Sequence, residues 1–252
     1  MSTLYMKLRK EDVSPYVLFS GDPWRVEVLK QYLEDVKHIA FSREYNTYTG
    51  KYKGVLMTIT STGIGSPSAA IAMEEMYEVG MRVALRVGTV MGLKDDLLGK
   101  YIVPIASIRG EGTSHTYVEA GYPAVSDFEL VRTINEVVAD FGGKVDNGLN
   151  LTLDGFYSQM RESRLSKELA TDISATFSKA RKLNISGIDM ESACLLVLGR
   201  LMNVKTAILT LVTVLENLKG EMSGEARKKG EEELCRIALE SLYRYSQKEM
   251  QK

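Results

Sequence analysis

The stretch ALRVGTVMGLKDD, residues 84–96, decides the fold. An apolar run typical of a β-strand contains an arginine here, and a glycine that predicts a turn follows. The run reaches Arg86, and Gly88 and Thr89 follow closely. Two interpretations are open. The arginine reaches solvent at a strand end, or Gly88 lets the backbone approach an anion that Arg86 and Thr89 bind. The stretch alone favours the first, so the choice depends on the rest of the chain.

Composition restricts the class of protein. The chain has 252 residues, 44% hydrophobic and 26% charged, which predicts a globular protein with one domain over residues 1–252. A net charge of −1 lacks the basic footprint of nucleic-acid binding proteins. The two cysteines, Cys194 and Cys235, form no metal-type spacing and indicate packed thiols. No apolar leader or membrane-length run is present, so we expect a cytoplasmic protein without membrane partners.

Apolar β-type runs alternate with helical patterns along the chain. YVLFS (16–20) and KTAILTLVTVL (205–215) are typical of buried strands. A helix is expected after Ser66, its predicted N-cap, and Gly80 closes it. The alternation predicts an α/β fold, a three-layer αβα sandwich with a central mixed sheet. A terminal amphipathic helix presents one apolar face, and we expect its lysine and glutamate runs to face solvent. The apolar face is formed by Leu234, Ile237, Ala238, Ser241 and Leu242.

The predicted strand ends combine glycines with polar groups. In α/β sheets, ligands bind beyond the carboxyl ends of strands, where these segments converge. The convergence favours the anion-site interpretation of Arg86. The segments are SGDPWR (20–25), STGIGSPS (61–68), RVGT (86–89), DGFYSQMR (154–161) and GIDMES (187–192).

Five motifs, in order and over nearly the whole chain, resemble the hexameric-type nucleoside phosphorylases, which include uridine and purine nucleoside phosphorylases. They are SGDPWRV (20–26), STGIGSPSAAIAMEEM (61–76), LRVGT (85–89), YPAVSDFE (122–129) and DMESA (189–193). The resemblance implies an enzyme, a pentosyltransferase of nucleotide salvage that uses phosphate to release a free base and a pentose 1-phosphate. It also implies a homohexamer, a trimer of dimers whose sites are completed by a neighbouring subunit. Inorganic phosphate is the co-substrate, and no metal or organic cofactor is required.

The same resemblance assigns site residues. Guanidinium forks suit a phosphate dianion, and a carboxylate suits vicinal hydroxyls because it accepts from both. The phosphate-binding residues would be Gly21, Arg25, Arg43, Arg86 and Thr89, with Arg43 contributed by the neighbouring subunit. The ribose-binding residues would be Tyr5, Asp189, Met190 and Glu191, and the base-binding residues Phe156, Gln159, Arg161 and Met91. Catalysis would rest on Arg86, Thr89, Arg161 and Glu191.

Gln159 and Arg161 resemble the Gln-x-Arg of uridine phosphorylases. An amide pairs with an N–H and a carbonyl of uracil, and the arginine donates to the other carbonyl. The alternative is that this segment is a polar surface loop without a role in binding. We therefore predict cleavage of uridine by phosphate into uracil and ribose 1-phosphate.

Several positions depart from the uridine phosphorylase pattern. Met91 replaces a glycine near the base, and Glu216 stands where purine enzymes have an acid. Tyr5 replaces a histidine that a neighbouring subunit offers to the 5′-hydroxyl in the family. A raised pKa would let Glu216 protonate a purine, although we favour a structural role. The alternatives are a purine nucleoside or 5′-methylthioadenosine phosphorylase that uses Glu216, and a weakly active nucleoside-binding protein. Glu44, Ile64 and Ser68 match positions that hold a monovalent cation, such as K⁺, in some relatives.

Overall fold

A mixed β-sheet forms the centre of the computed structural model, which describes residues 2–216 and 219–250. Within these residues, twelve strands are hydrogen-bonded into one connected sheet. They are β1 (Tyr16–Ser20), β2 (Glu34–Ser42), β3 (Tyr45–Tyr52), β4 (Val55–Ser61), β5 (Val83–Gly92), β6 (Tyr101–Ile102), β7 (Ala106–Gly110), β8 (Ala124–Val125), β9 (Val145–Asp146), β10 (Leu149–Leu153), β11 (Ile185–Asp189) and β12 (Lys205–Leu215).

The sheet branches at β5. The main path runs β2-β3-β4-β1-β5-β11-β10-β7-β8, while β12 pairs with β5 and with β6, which in turn pairs with β9. Strands β1, β4, β5 and β12 are parallel, whereas β11 runs antiparallel to β5. The carboxyl ends of the four parallel strands therefore meet at one edge of the sheet.

Helices cover both faces of the sheet. In the described residues they are α1 (Pro23–Leu29), α2 (Ser66–Glu78), α3 (Phe128–Asp140), α4 (Arg164–Glu168), α5 (Ile173–Lys182), α6 (Ser192–Leu201) and α7 (Gly224–Met250). Helices α1, α3 and α7 pack in one hydrophobic cluster, and α2 and α6 pack in another.

The side chains of β5 show why two layers of helices are needed. Val83, Leu85 and Val87 lie in the cluster with α1, α3 and α7, while Ala84 lies in the cluster with α2 and α6. Successive strand residues point to opposite faces, so a strand segment that is apolar at consecutive positions, as β5 is over residues 83–85, must be covered on both sides. The predicted three-layer αβα sandwich with a mixed sheet is confirmed.

The last helix also agrees with its sequence pattern. The five residues of the predicted apolar face of α7 are all buried. Burying a leucine or isoleucine side chain contributes about 1.5–3 kcal/mol, so Leu234, Ile237 and Leu242 stabilise the packing of α7 against the sheet. None of the described helices is both long enough and apolar enough to cross a membrane.

Local structure corrects two expectations. The chain does not turn at Gly88, since β5 continues as a strand to Gly92. Ser66 is not an N-cap but the first residue of α2, after Gly65, and its hydroxyl donates 2.9 Å to the carbonyl of Met190. Gly80 does follow the helix end, with φ +108°. The β2–β3 hairpin had no sequence prediction, because its strands mix polar and aromatic residues without a clear alternation.

Candidate active site

A cavity of about 860 Å³ opens at the edge where the parallel strands end. Every strand-end segment that the sequence singled out contributes to it. The lining residues are Gly21, Asp22, Pro23, Arg25, Gly63, Ile64, Arg86, Gly88, Thr89, Val90, Met91, Phe156, Tyr157, Met160, Ile188, Asp189, Met190, Glu191, Thr213, Val214 and Arg227. The sheet thus brings together segments that are up to about two hundred residues apart in the chain.

Arg86 lies inside the cavity wall and not at the surface, since only 6% of it is exposed. Its Nη2 forms an ion pair with Oε2 of Glu191. The Nε and Nη1 atoms are buried and have no hydrogen-bond partner among the described residues. Burial lowers the pKa of Arg86, but the charges of Glu191 and Asp189 outweigh this and raise it overall. The guanidinium is a permanent cation with two donors to spare for an anion.

Gly88 explains the arginine–glycine pattern in steric terms. A Cβ atom at this position would lie 2.6 Å from Nη1 and 3.3 Å from Cζ of Arg86. Any other residue would therefore push the guanidinium out of place. The glycine permits a close approach of a side chain here, in addition to any approach of a ligand.

Two neighbouring carboxylates have different roles. Glu191, which is 3% exposed, uses Oε2 for Arg86 and accepts 2.7 Å from the backbone N–H of Gly65 with Oε1. Asp189 instead accepts hydrogen bonds from the hydroxyl and N–H of Ser192, at the start of α6, and 2.8 Å from the hydroxyl of Thr152. Asp189 is thus the helix-start carboxylate, and Glu191 is the one that joins the ligand cavity to Arg86.

A second cation, Arg25, faces the cavity from α1 and is 7% exposed. Its Nη1 lies 3.3 Å from Oγ of Ser20, its Nη2 lies 3.4 Å from Oε2 of Glu231, and its Nε has no partner among the described residues. Arg227 of α7 also lines the cavity and pairs at 2.8 Å with Glu231. The strand-end reasoning missed Arg227, because the charges of α7 were interpreted as a solvated face; the i,i+4 spacing to Glu231 was the available signal.

The opposite end of the cavity is apolar. A π-helical turn, Phe156–Met160, supplies Phe156, Tyr157 and Met160, and the strands supply Met91 and Val214. The rings of Phe156 and Tyr157 meet edge to face, with centroids 5.1 Å apart. A flat ring can stack or pack on this surface.

The two predicted base-reading residues do not line the cavity. Oε1 of Gln159 accepts 2.8 Å from the backbone N–H of Gly155, and the side chain of Arg161 is exposed. Gln159 lies within the turn that carries Phe156, and Arg161 directly follows that turn, but neither forms the wall of the apolar end. Their role as base ligands remains a prediction.

Comparison with known proteins identifies the family. The family model described as the Phosphorylase superfamily matches residues 15–243. The chain belongs to the phosphorylase superfamily. The predicted family and enzyme class are confirmed.

Individual relatives agree with this membership. The chain is 34% identical to a uridine phosphorylase of Thermococcus kodakarensis, over 92% of this chain and 82% of the relative. It is 32% identical to a purine nucleoside phosphorylase of Plasmodium falciparum, over 82% and 81% of the two chains. The crystal structure of a uridine phosphorylase from Vibrio fischeri superposes with a TM-score of 0.83 at 31% identity, covering 96% of this chain and 98% of that one.

Two residues of this phosphorylase that were assigned to a neighbouring site lie together, away from the chain's own cavity. The guanidinium carbon of Arg43 is 5.2 Å from the ring centroid of Tyr5. Arg43 is exposed in the β2–β3 turn with φ +57°, and the backbone N–H of Tyr5 donates 2.7 Å to buried Glu75. Neither side chain lines the cavity described above.

The candidate cation ligands of the phosphorylase are partly brought together. The hydroxyl of Ser68 donates 2.7 Å to Oε1 of Glu44, which lowers the pKa of that carboxyl. Ile64 lies in the segment between them and is 76% exposed at the cavity. Cation binding there remains a prediction.

Glu216, two residues after the lining residue Val214, does not itself line the phosphorylase cavity. Its Oε1 forms an ion pair with Arg181 and lies 3.8 Å from Nζ of Lys219. This pairing fits the structural role favoured from the sequence. The next two residues, 217 and 218, lie outside the described residues.

Proposed function

We propose that this chain catalyses phosphorolysis of uridine, giving uracil and ribose 1-phosphate. The proposal rests on the positions of the acidic side chains that line the cavity. Among the described residues, the carboxylates that line the cavity are Asp22, Asp189 and Glu191. Asp22 caps α1 and accepts 2.9 Å from Trp24, while the other two lie near Arg86. The apolar end therefore offers no acid to a departing base, which suits uracil, because its carbonyls delocalise the negative charge.

The cationic end is suited to hold phosphate. Arg86, Arg25 and Thr89 line the same cavity, and the Nε and Nη1 of Arg86 and the Nε of Arg25 have no hydrogen-bond partner among the described residues. Charge-assisted hydrogen bonds from guanidinium groups would fix the anion beneath the anomeric carbon. No metal or organic cofactor enters this proposal.

The reaction then needs only a positioned sugar. The bond from C1′ to N1 breaks with its electron pair going to uracil, and a phosphate oxygen forms the new bond to C1′. The transition state resembles an oxocarbenium ion, which the phosphate anion stabilises. Each carboxylate oxygen can accept more than one hydrogen bond, so Glu191 can hold the ribose hydroxyls while it keeps Arg86 and Gly65.

The finer expectations belong to the same proposal. Exposed Arg43 and half-buried Tyr5 would complete the site of a neighbouring subunit in a homohexamer, and Gln159 and Arg161 would read the base. K⁺ would bind near Glu44, Ile64 and Ser68. The enzyme would act in the cytoplasm in nucleotide salvage.

A phosphate-dependent assay tests the proposal. Uridine, thymidine, inosine and 5′-methylthioadenosine are incubated with and without phosphate, and free base and pentose 1-phosphate are measured. We expect the highest kcat/KM for uridine and no base release without phosphate. Faster cleavage of a purine nucleoside, lost in Glu216→Gln, would replace the proposal with the purine alternative.

A further inference from the structure

The apolar end of the cavity has a supporting layer. We use the name base wall for the four cavity residues Met91, Phe156, Met160 and Val214. All four belong to one hydrophobic cluster, and α5 supplies the other side of that cluster through Ile173, Phe177 and Ala180. The position of α5 therefore sets the position of the base wall.

An ion pair joins α5 to the end of β12. Arg181, in the last turn of α5, contacts Oε1 of Glu216, the residue directly after β12. The Glu216 side chain is 6% exposed and that of Arg181 is 48% exposed. The Oε2 atom of Glu216 is buried without a hydrogen-bond partner among the described residues, so the contacts to this carboxylate fall on Oε1.

The burial of Glu216 separates this contact from an ordinary surface ion pair. Exposed ion pairs contribute little to stability, because water screens the charges and the long side chains lose conformational freedom. A buried carboxylate that loses its cation is left uncompensated, which is strongly unfavourable. Lys219 is a weaker substitute, since its Nζ is 3.8 Å away and its side chain is 63% exposed.

The end of β12 needs such a restraint. The register between β12 and β5 shifts between Val212 and Val214, directly before the base-wall residue Val214. A shift of this kind disrupts the ladder locally and bends the strand. Glu216 follows two residues later, so a contact that fixes Glu216 also fixes the direction in which Val214 faces.

We propose that Arg181 is a positioning residue whose ion pair with Glu216 latches α5 to the end of β12 and so fixes the base wall. Neither residue touches the substrate. The proposal rests on the proposed function only in that the cavity binds a nucleoside with its base against the base wall. It also gives Glu216 a use other than proton donation.

The first test is Arg181→Met, which keeps the length and apolar stem but removes the charge. We expect the KM for uridine to rise about 10-fold, with the KM for phosphate changing less than about two-fold, because the cationic end is untouched. Arg181→Lys should recover part of the loss. Lys182→Met, at the neighbouring exposed position of the same helix, is the matched control and should behave as wild type.

The second test is the double-mutant cycle with Glu216→Gln. Two residues that act through one contact lose that contact only once, so Arg181→Met/Glu216→Gln should raise the uridine KM no further than the worse single variant. Circular dichroism and thermal melting would accompany each variant. An unchanged uridine KM in Arg181→Met, a parallel rise in both KM values, or losses that multiply in the double variant would each overturn the latch.

The wild-type enzyme separates failure of the latch from failure of the proposed function. If wild type cleaves inosine and not uridine, the uridine proposal is wrong, and the cycle is run on inosine. A selective rise in the inosine KM would then support the latch, and an unchanged one would overturn it.

Discussion

The phosphate end and the base end of the cavity are built by different means. At the phosphate end, Arg25 in helix α1 and Arg86 within strand β5 are 7% and 6% exposed. At the base end, Tyr157 is 58% exposed on a short turn, and Arg161 is exposed beside it. The cations of the phosphate end are thus buried, while the base end combines the strand residues Met91 and Val214 with an exposed turn. Changes at the first end should affect chemistry, and changes at the second should affect base choice.

The largest effect should come from Arg86→Ala. Losing the central cation should lower turnover of uridine by about 10³-fold, since it removes binding of phosphate and stabilisation of the transition state. It also leaves Glu191 buried without its partner, a cost of about 3–5 kcal/mol, which urea unfolding would show. Arg82→Ala, an exposed arginine just before β5, is the control. Near-wild-type turnover at low phosphate would contradict the assignment.

Glu191→Gln should follow, with turnover lowered by about 10²-fold. An amide offers one acceptor oxygen and places donors against Arg86 or the sugar hydroxyls, where the carboxylate has two acceptors. Steady-state rates on uridine and on 2′,3′-dideoxyuridine would check this, and the loss should be smaller on the dideoxy substrate. Equal losses on both substrates would show that Glu191 acts only through Arg86.

Gly88→Ala should have an intermediate effect, because it displaces a guanidinium without removing it. We expect the KM for phosphate to rise about 10-fold or more, with a smaller change for uridine. Gly121→Ala is the matched control, since a Cβ there meets no atom within 4 Å. If phosphate KM is the same in both variants, the close approach of Gly88 and Arg86 has no functional consequence.

The smallest effect should come from Arg161→Ala at the base end. An exposed donor to one carbonyl is worth about 1–1.5 kcal/mol, so kcat/KM for uridine should fall by about 10-fold or less. The ratio of uridine to inosine cleavage should fall with it, while the KM for phosphate stays constant. A loss as large as that of Arg86→Ala would remove the distinction between the two ends.

The sequence alone indicated the layered fold because apolar strand runs alternate with helical patterns along the chain and the terminal helix has an apolar face. Such patterns are local, and burial simply follows them. The same holds for Arg86 and Glu191, whose neighbours along the chain formed recognisable motifs. The β2–β3 hairpin and the first turn of α2 were not predicted correctly from the sequence, because cap and hairpin geometry depend on contacts between residues far apart in the chain.

Tertiary structure decided which polar groups are satisfied by the protein and which remain for a ligand. Asp189 and Glu191 look alike in the sequence, yet one serves the start of α6 and the other joins Arg86. Arg227 lines the cavity although it belongs to α7, whose charged residues were expected to face solvent. Glu216 forms an ion pair with Arg181 of α5, which is distant in the sequence. Charge and hydrogen bonding act between residues that only the fold brings within a few ångströms, so no local pattern could specify them.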